Sequence, residues 1–166
     1  WWHALTVAIE PSKDVDGLSP QTQSAIRTGE WRASGYVLPA TVRAVRLILA
    51  EAGLSREARL VILGKSDLLG EPLYHLLRQE GYEVTLLTRT AFTQRQVTGE
   101  GLKEFGVVVS ATGQPRFLTA DLLAEQVTLI DVGEPEPDLD FSSVRSKARF
   151  LTPVPGGVGP VTVASL

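Results

Sequence analysis

Leu60-Val61-Ile62-Leu63-Gly64-Lys65-Ser66-Asp67-Leu68-Leu69-Gly70-Glu71-Pro72 is the stretch that decides the fold. Its first four residues form an unbroken apolar run, the composition of a strand covered on both faces. Its end opens a helix: Pro72 suits a first turn, and Leu73, Leu76 and Leu77 face one way until Gly81 stops the pattern. Between the two lies a loop bounded by glycines. Strand, loop and helix in that order form the first part of a βαβ unit, and such units build parallel sheets.

Working outward, Val84-Thr85-Leu86-Leu87, Val107-Val108-Val109 and Leu129-Ile130-Asp131-Val132 read as three further strands. Upstream, Leu38, Val42, Val45 and Leu49 make one apolar stripe, with Pro39 at its start and Gly53 just past its end. The pattern predicts an α/β fold: an open parallel sheet, Rossmann-like and of the dinucleotide-binding type, with helices on both faces. Residues up to Gly17 hold a short apolar stretch and a polar turn, and those from there to Gly35 read as irregular with a short helix. The tail from Thr152 to Pro160, rich in Pro and Gly, reads as a shaped loop, neither helix nor ladder. The expected division is a lead-in over 1–35, left from a preceding domain, and a nucleotide-binding domain over 36–166.

The 166 residues fit one domain with a sizeable core. Apolar residues at 43% and charged residues at 21% exclude a disordered chain. A net charge of −3 gives no electrostatic footprint for a phosphate backbone, so no nucleic-acid partner is expected. The absence of Cys excludes disulfides, thiolate nucleophiles and Cys-based metal sites. No apolar run approaches the ~20 residues that span a bilayer, so no membrane is expected and the cytoplasm is the default location. The chain opens Trp1-Trp2-His3 and holds no Met, as expected of a piece of something longer.

Four places carry candidate chemistry. The loop from Gly64 to Gly70 offers glycines for close backbone approach and N–H groups at a helix start that attract phosphate. Its Gly-x5-Gly spacing is not G-x-G-x-x-G, and an ordinary strand-to-helix turn is the competing reading. After the next strand, Thr88-Arg89-Thr90 stands where NAD-binding folds place a ribose-binding acid. Arg89 and Lys65 there suggest a clasp for a 2′-phosphate, favouring NADP over NAD; two solvated cations are the alternative. In Lys13-Asp14-Val15-Asp16-Gly17 the acids make either a plain Asx turn or a carboxylate at a cleft edge that bonds an amide-like ring. The Pro/Gly tail reads as a ligand-lining loop rather than a floppy linker.

Other candidates are weaker. Glu134, Glu136, Asp138 and Asp140 alternate with prolines and read as a solvated acidic loop, so no metal site is expected. His75 among leucines reads as a packed or surface residue, His3 lies at the ragged start, and no G-x-S-x-G elbow exists for a hydrolase triad.

Taken in order, Pro11-Ser12-Lys13-Asp14-Val15-Asp16-Gly17, Gly64-Lys65-Ser66 with Gly70-Glu71-Pro72, Ala111-Thr112-Gly113-Gln114-Pro115, Ile130-Asp131-Val132-Gly133 and Thr152 to Thr162 resemble the methylenetetrahydrofolate dehydrogenase/methenyltetrahydrofolate cyclohydrolase family. The resemblance implies NADP-dependent oxidation of 5,10-methylenetetrahydrofolate, with hydrolysis to 10-formyltetrahydrofolate in the full-length protein. It also implies a folate substrate and a homodimer. It assigns Gly64, Lys65, Ser66, Gly70, Arg89, Thr112, Gly113, Gly133 and Glu134 to the cofactor, and Asp16 to orienting the pterin. Pro155, Gly156, Gly157, Val158, Gly159, Pro160 and Thr162 fall to folate. Departures stand out: Pro39-Ala40-Thr41-Val42 replaces Pro-Cys-Thr-Pro, Gly133-Glu134-Pro135 replaces Gly-Ile-Asn, and Val161 replaces Met. The family's Tyr and general-base Lys, from the preceding domain, have no counterpart here, nor has its closing helix beyond Leu166. A cofactor-binding module without turnover is therefore the alternative. A dehydrogenase of the shikimate type would share the sheet but gives no reason for the tail.

Overall fold

The computed structural model describes residues 2–166. Seven α-helices and five strands follow one another as α1 (Trp2–Val7), α2 (Pro20–Thr28), α3 (Ala40–Glu51), β1 (Arg59–Leu63), α4 (Gly70–Gln79), β2 (Glu83–Leu87), α5 (Arg89–Val97), β3 (Val107–Ser110), β4 (Val127–Asp131), α6 (Phe141–Val144), β5 (Ala148–Leu151) and α7 (Val158–Ala164). Every strand pair is parallel and the order is β2-β1-β3-β4-β5. The chain thus leaves β1 in one direction for β2 and then crosses back over it to β3. That reversal is the switch point at which open α/β sheets bind ligands.

The apolar runs are continuous because both faces are buried. Leu60, Ile62, Val107 and Val109 join a core with α3 and α4 on one face, while Val61, Leu63, Val108 and Leu129 join a second core with Phe92 of α5 on the other. Period-two alternation therefore shows as two cores, not as an apolar/polar pattern. Helix α3 runs from Pro39 as N-cap, and Gly53 and Gly81 take positive φ (68° and 86°) just past the ends of α3 and α4.

Two expectations need correcting. A fifth strand, β5, pairs with β4, and Thr152 N continues the ladder by donating to Leu129 O (3.1 Å). Its Arg149 hid it; the guanidinium is absorbed by Ala52 O (2.9 Å) and Thr128 Oγ1 (3.2 Å). The tail from Thr152 is a loop only as far as Gly157. Val158, Gly159 and Pro160 form the first turn of α7, where Pro160 gives up an N–H that has no intrahelical acceptor in any case.

Candidate cofactor site

Gly64 ends β1 with φ +108° and donates its N–H to Leu87 O (3.0 Å), so the loop leaves the sheet at its carboxyl edge. Its glycines answer backbone crowding. A Cβ on Gly64 would overlap the Ala111 carbonyl after β3, and one on Gly70 would overlap the Gly64 carbonyl itself. Strand end, loop and helix start are thus stacked as closely as backbone permits.

The amides at the helix start are not free, contrary to the expectation from sequence. Leu69 N and Gly70 N donate to Ser66 Oγ (3.3 and 3.4 Å), and Glu71 N donates to Ser66 O (3.0 Å). The amides that keep no hydrogen bond among the described residues are those of Lys65 to Leu68, one step earlier. Ser66 therefore holds the helix start and leaves the four preceding N–H groups without a partner among the described residues. Such a run, beside a Lys, has the donor chemistry a phosphate requires.

The two cations stand apart. Lys65 pairs with Glu71 (3.1 Å) at a groove of about 500 Å³ between α4 and the edge strand β2, where Tyr74, His75 and Thr85 also lie. Arg89 lines a smaller cavity of about 80 Å³ floored by Leu63, Leu87, Phe92 and Phe117. Its guanidinium donates to Thr112 O (3.3 Å) and meets the side-chain carbonyl of Gln114. Thr88 borders both spaces. The predicted clasp is thus two half-sites joined at Thr88. His75 is a half-buried residue of α4 in edge contact with Tyr74 (5.2 Å), and burial holds its imidazole below the usual pKa. The side chain of His3 lies outside the described residues.

The loops after β3 and β4 are tied by two carboxylates that sequence reasoning misplaced. Asp138 was expected in a solvated acidic loop, yet it is 0% exposed. Its Oδ2 accepts from Ser110 Oγ (2.7 Å), Thr112 N (2.7 Å) and Thr112 Oγ1 (3.0 Å). Asp131, at the end of β4, accepts from the amides of Gly133 (2.8 Å), Asp138 (3.2 Å) and Leu139 (3.0 Å). Burial pushes the Asp131 carboxyl up, the three amides pull it back, and neighbouring Asp138 raises it again. Glu134 and Glu136 are exposed, as a solvated loop requires, and Asp140 caps α6 at Ser143 N (3.3 Å). A Cβ on Gly133 would stand 2.7 Å from both Asp138 N and Glu136 O, so the chain folds back tightly there.

At the amino end, Asp14 and Asp16 divide the work. Asp14 is buried and accepts from Leu18 N (2.7 Å), Ser19 N (2.9 Å) and Thr22 Oγ1 (2.6 Å), a structural carboxylate. Half-buried Asp16 accepts from Ala40 N (3.0 Å) and so caps the start of α3. Gly157 lies against Pro153 O and Thr152, which fixes the bend from β5 into α7. Asp16 thus stands at the start of α3 and this bend at the start of α7, and α3 and α7 pack together.

Topology, switch-point loop and cationic flank together define an α/β domain of the Rossmann dinucleotide-binding type. The sequence model of the tetrahydrofolate dehydrogenase/cyclohydrolase NAD(P)-binding domain matches residues 39–166. The bifunctional protein FolD of Sorangium cellulosum is 38% identical over 172 residues, covering 99% of this chain and 58% of that protein. FolD of Lactobacillus helveticus is 36% identical, with 98% and 57% covered. Among solved structures, the Campylobacter jejuni FolD superposes with TM-score 0.85 at 29% identity, covering 98% of this chain and 58% of that one. The Trypanosoma brucei methylenetetrahydrofolate dehydrogenase-cyclohydrolase, complexed with NADP cofactor and inhibitor, gives 0.85 at 31%, with the same coverage. A Thermus thermophilus shikimate 5-dehydrogenase, at 18% identity and TM-score 0.56, shares the fold alone. The chain belongs to the tetrahydrofolate dehydrogenase/cyclohydrolase family, as its NAD(P)-binding domain, and spans 57–58% of the length of these FolD relatives. Among the described residues no helix is long and apolar enough to cross a membrane.

Proposed function

We propose that this chain binds NADP for the oxidation of 5,10-methylenetetrahydrofolate to the methenyl form, and that hydrolysis to 10-formyltetrahydrofolate follows in the full-length protein. The observation that carries the reading is the run of unbonded amides from Lys65 to Leu68 at the switch point, flanked by Lys65 and Arg89. In this reading the amides of Lys65 to Leu68 hold the pyrophosphate, and Lys65 and Arg89 converge on the 2′-phosphate from either side of Thr88. Arg89 leaves Thr112 O and Gln114 to do so, exchanging two neutral acceptors for a charged one. The cavity floored by Phe92 and Phe117 receives the adenine. The turn at Thr112-Gly113 and the backbone of Gly133-Glu134 border the other nucleoside. NADP, when bound, supplies the hydride acceptor; the chain's part is to position and to exclude water.

Asp16 and the segment Pro155 to Thr162 form the folate side, with Asp16 orienting the pterin. Residues 1–35 lead in from a catalytic domain, 36–166 form the nucleotide-binding domain, and the assembly is a cytoplasmic homodimer. The 166 residues hold no Tyr-x-x-x-Lys segment, so the chain by itself supplies no general base for the second step. A binding module without turnover remains the second reading, favoured by Ala40 and Val42, which lie in the core where the family has Cys and Pro. Domain grafting separates the two. The chain alone is expected to show little or no dehydrogenase turnover. Placed behind the amino-terminal half of the Sorangium cellulosum relative, it is expected to reduce NADP in the presence of methylenetetrahydrofolate. A folded, NADP-binding but inert graft would establish the module instead.

A further inference from the structure

Asp138 Oδ1 has no hydrogen-bond partner although it is buried. All three of this carboxylate's donors converge on the other oxygen, from Ser110 and Thr112 at the end of β3. Next to it, Asp131 at the end of β4 is 1% exposed, with three backbone amides as its donors among the described residues. No Lys or Arg among the described residues forms an ion pair with either carboxylate. Two acids are thus buried at one place without a cation. Burying a charge unpaired is costly, and at 138, where one oxygen does all the accepting, Asn would accept the same hydrogen bonds without that cost. Fixing the loops does not by itself require a carboxylate at 138.

Topology says what the charge faces. The adenosine half-sites lie over β2 and the phosphate loop over β1. A dinucleotide crossing the switch point must lay its other nucleoside over β3 and β4, whose ends carry Ser110 and Asp131. The bare oxygen lies against Gly133, 2.9 Å from where a Cβ would stand. Oxidised and reduced nicotinamide differ by one positive charge on the ring. A negative charge in low dielectric beneath that ring stabilises the oxidised form and does little for the reduced one.

We propose that Asp138, with Asp131, is an electrostatic element that makes the domain bind NADP⁺ in preference to NADPH. The inference rests on the NADP reading above. The test is binding, not turnover. Dissociation constants of the chain for NADP⁺, NADPH and adenosine 2′,5′-bisphosphate are measured by fluorescence or calorimetric titration, for the wild type, Asp138→Asn and Asp131→Asn. A unit charge ~10 Å away at an effective dielectric of ~20 changes a binding ratio on the order of tenfold. Asp138→Asn is therefore expected to weaken NADP⁺ against NADPH by on the order of tenfold, with the bisphosphate unchanged. Equal loss for NADP⁺ and NADPH, or an unchanged ratio with the bisphosphate still bound, overturns the electrostatic role and leaves a loop brace. Failure of the wild type to bind the bisphosphate overturns the NADP reading itself, and this inference with it. If Asp138→Asn does not fold, the ratio in Asp131→Asn decides, with the same shift expected and an unchanged ratio refuting.

Discussion

Replacing Gly70 with Ala should lower the melting temperature by about 5–10 °C, and the reason lies in two backbone segments. Gly70 opens α4 with its Cα pressed against the Gly64 peptide: a Cβ there would stand 2.9 Å from the Gly64 carbonyl carbon and closer still to the oxygen. Ordinary contact begins near 3.4 Å, so the carbonyl must retreat by more than 3.4 − 2.9 = 0.5 Å. It cannot do so freely, because Gly64 N is bonded to Leu87 O (3.0 Å) and Gly64 Cα lies under the Ala111 carbonyl. Overpacking of this kind costs about 1–3 kcal/mol or more. The gain from Ala in a helix, about 0.5–1 kcal/mol, offsets part of it. The overlap with the oxygen is deeper than that with the carbon, which puts the strain at the top of that range or above it. The net loss is therefore about 2–3 kcal/mol, and in a domain of this size each kcal/mol lowers the melting temperature by about 2–4 °C. Thermal and urea unfolding measure it directly. The control is Gly159→Ala in α7, where a Cβ meets nothing within 4 Å and φ is not positive. That variant should match or slightly exceed the wild type. If Gly70→Ala melts within a degree of the wild type, the close stacking of loop on helix is wrong.

Further outcomes follow from the same geometry. Arg89→Ala should weaken NADP far more than NAD in parallel titrations; equal loss would remove Arg89 from the 2′-phosphate. Asp14→Ala leaves Leu18 N, Ser19 N and the Thr22 hydroxyl without their acceptor, and should destabilise by about 2–4 kcal/mol in urea. The sign with pH is fixed for Asp14. Burial is the largest single influence and raises its pKa, but the Ser19, Thr22 and Leu18 hydrogen bonds together hold the carboxyl below 3.8. Its contribution is therefore complete above pH 3.8 and fades as pH falls through the lower folded value, so the gap between wild type and Asp14→Asn should close in that acid window. A gap that widens on acidification would contradict the assignment.

Much of the architecture was legible because parallel strands buried on both faces write themselves as unbroken runs, as Leu60–Leu63 and Val107–Val109 do. Pro72 and Gly81 punctuated the helix between the first two strands. β5 was not legible, since Arg149 interrupts it and only Ala52 O and Thr128, distant in sequence, explain how the charge is tolerated. The start of α7 was obscured because Pro and Gly signal loops everywhere except a first helical turn. For the site, the Gly64 loop and Arg89 could be found from spacing and strand order. Asp138 could not: an acid between prolines looks solvated, and its burial depends on Ser110 and Thr112, 28 and 26 residues away. One signal was present, namely that Asp138-Leu139 follows a strand ending in Asp131 after a short Pro-rich turn, a spacing that folds back on itself. Likewise Asp14 and Asp16 look equivalent in sequence, and only tertiary contacts separate the buried brace from the cap of α3.

In the proposed function the carboxyl edge above Gly64 receives a dinucleotide bearing a 2′-phosphate. Calorimetric titration of the purified chain with NADP⁺ and, separately, NAD⁺ tests it most directly. One site per chain is expected, with NADP⁺ binding at least about tenfold tighter, the least that one added charge-assisted phosphate contact should give. Binding of neither dinucleotide, or NAD⁺ binding as tightly as NADP⁺, would contradict it.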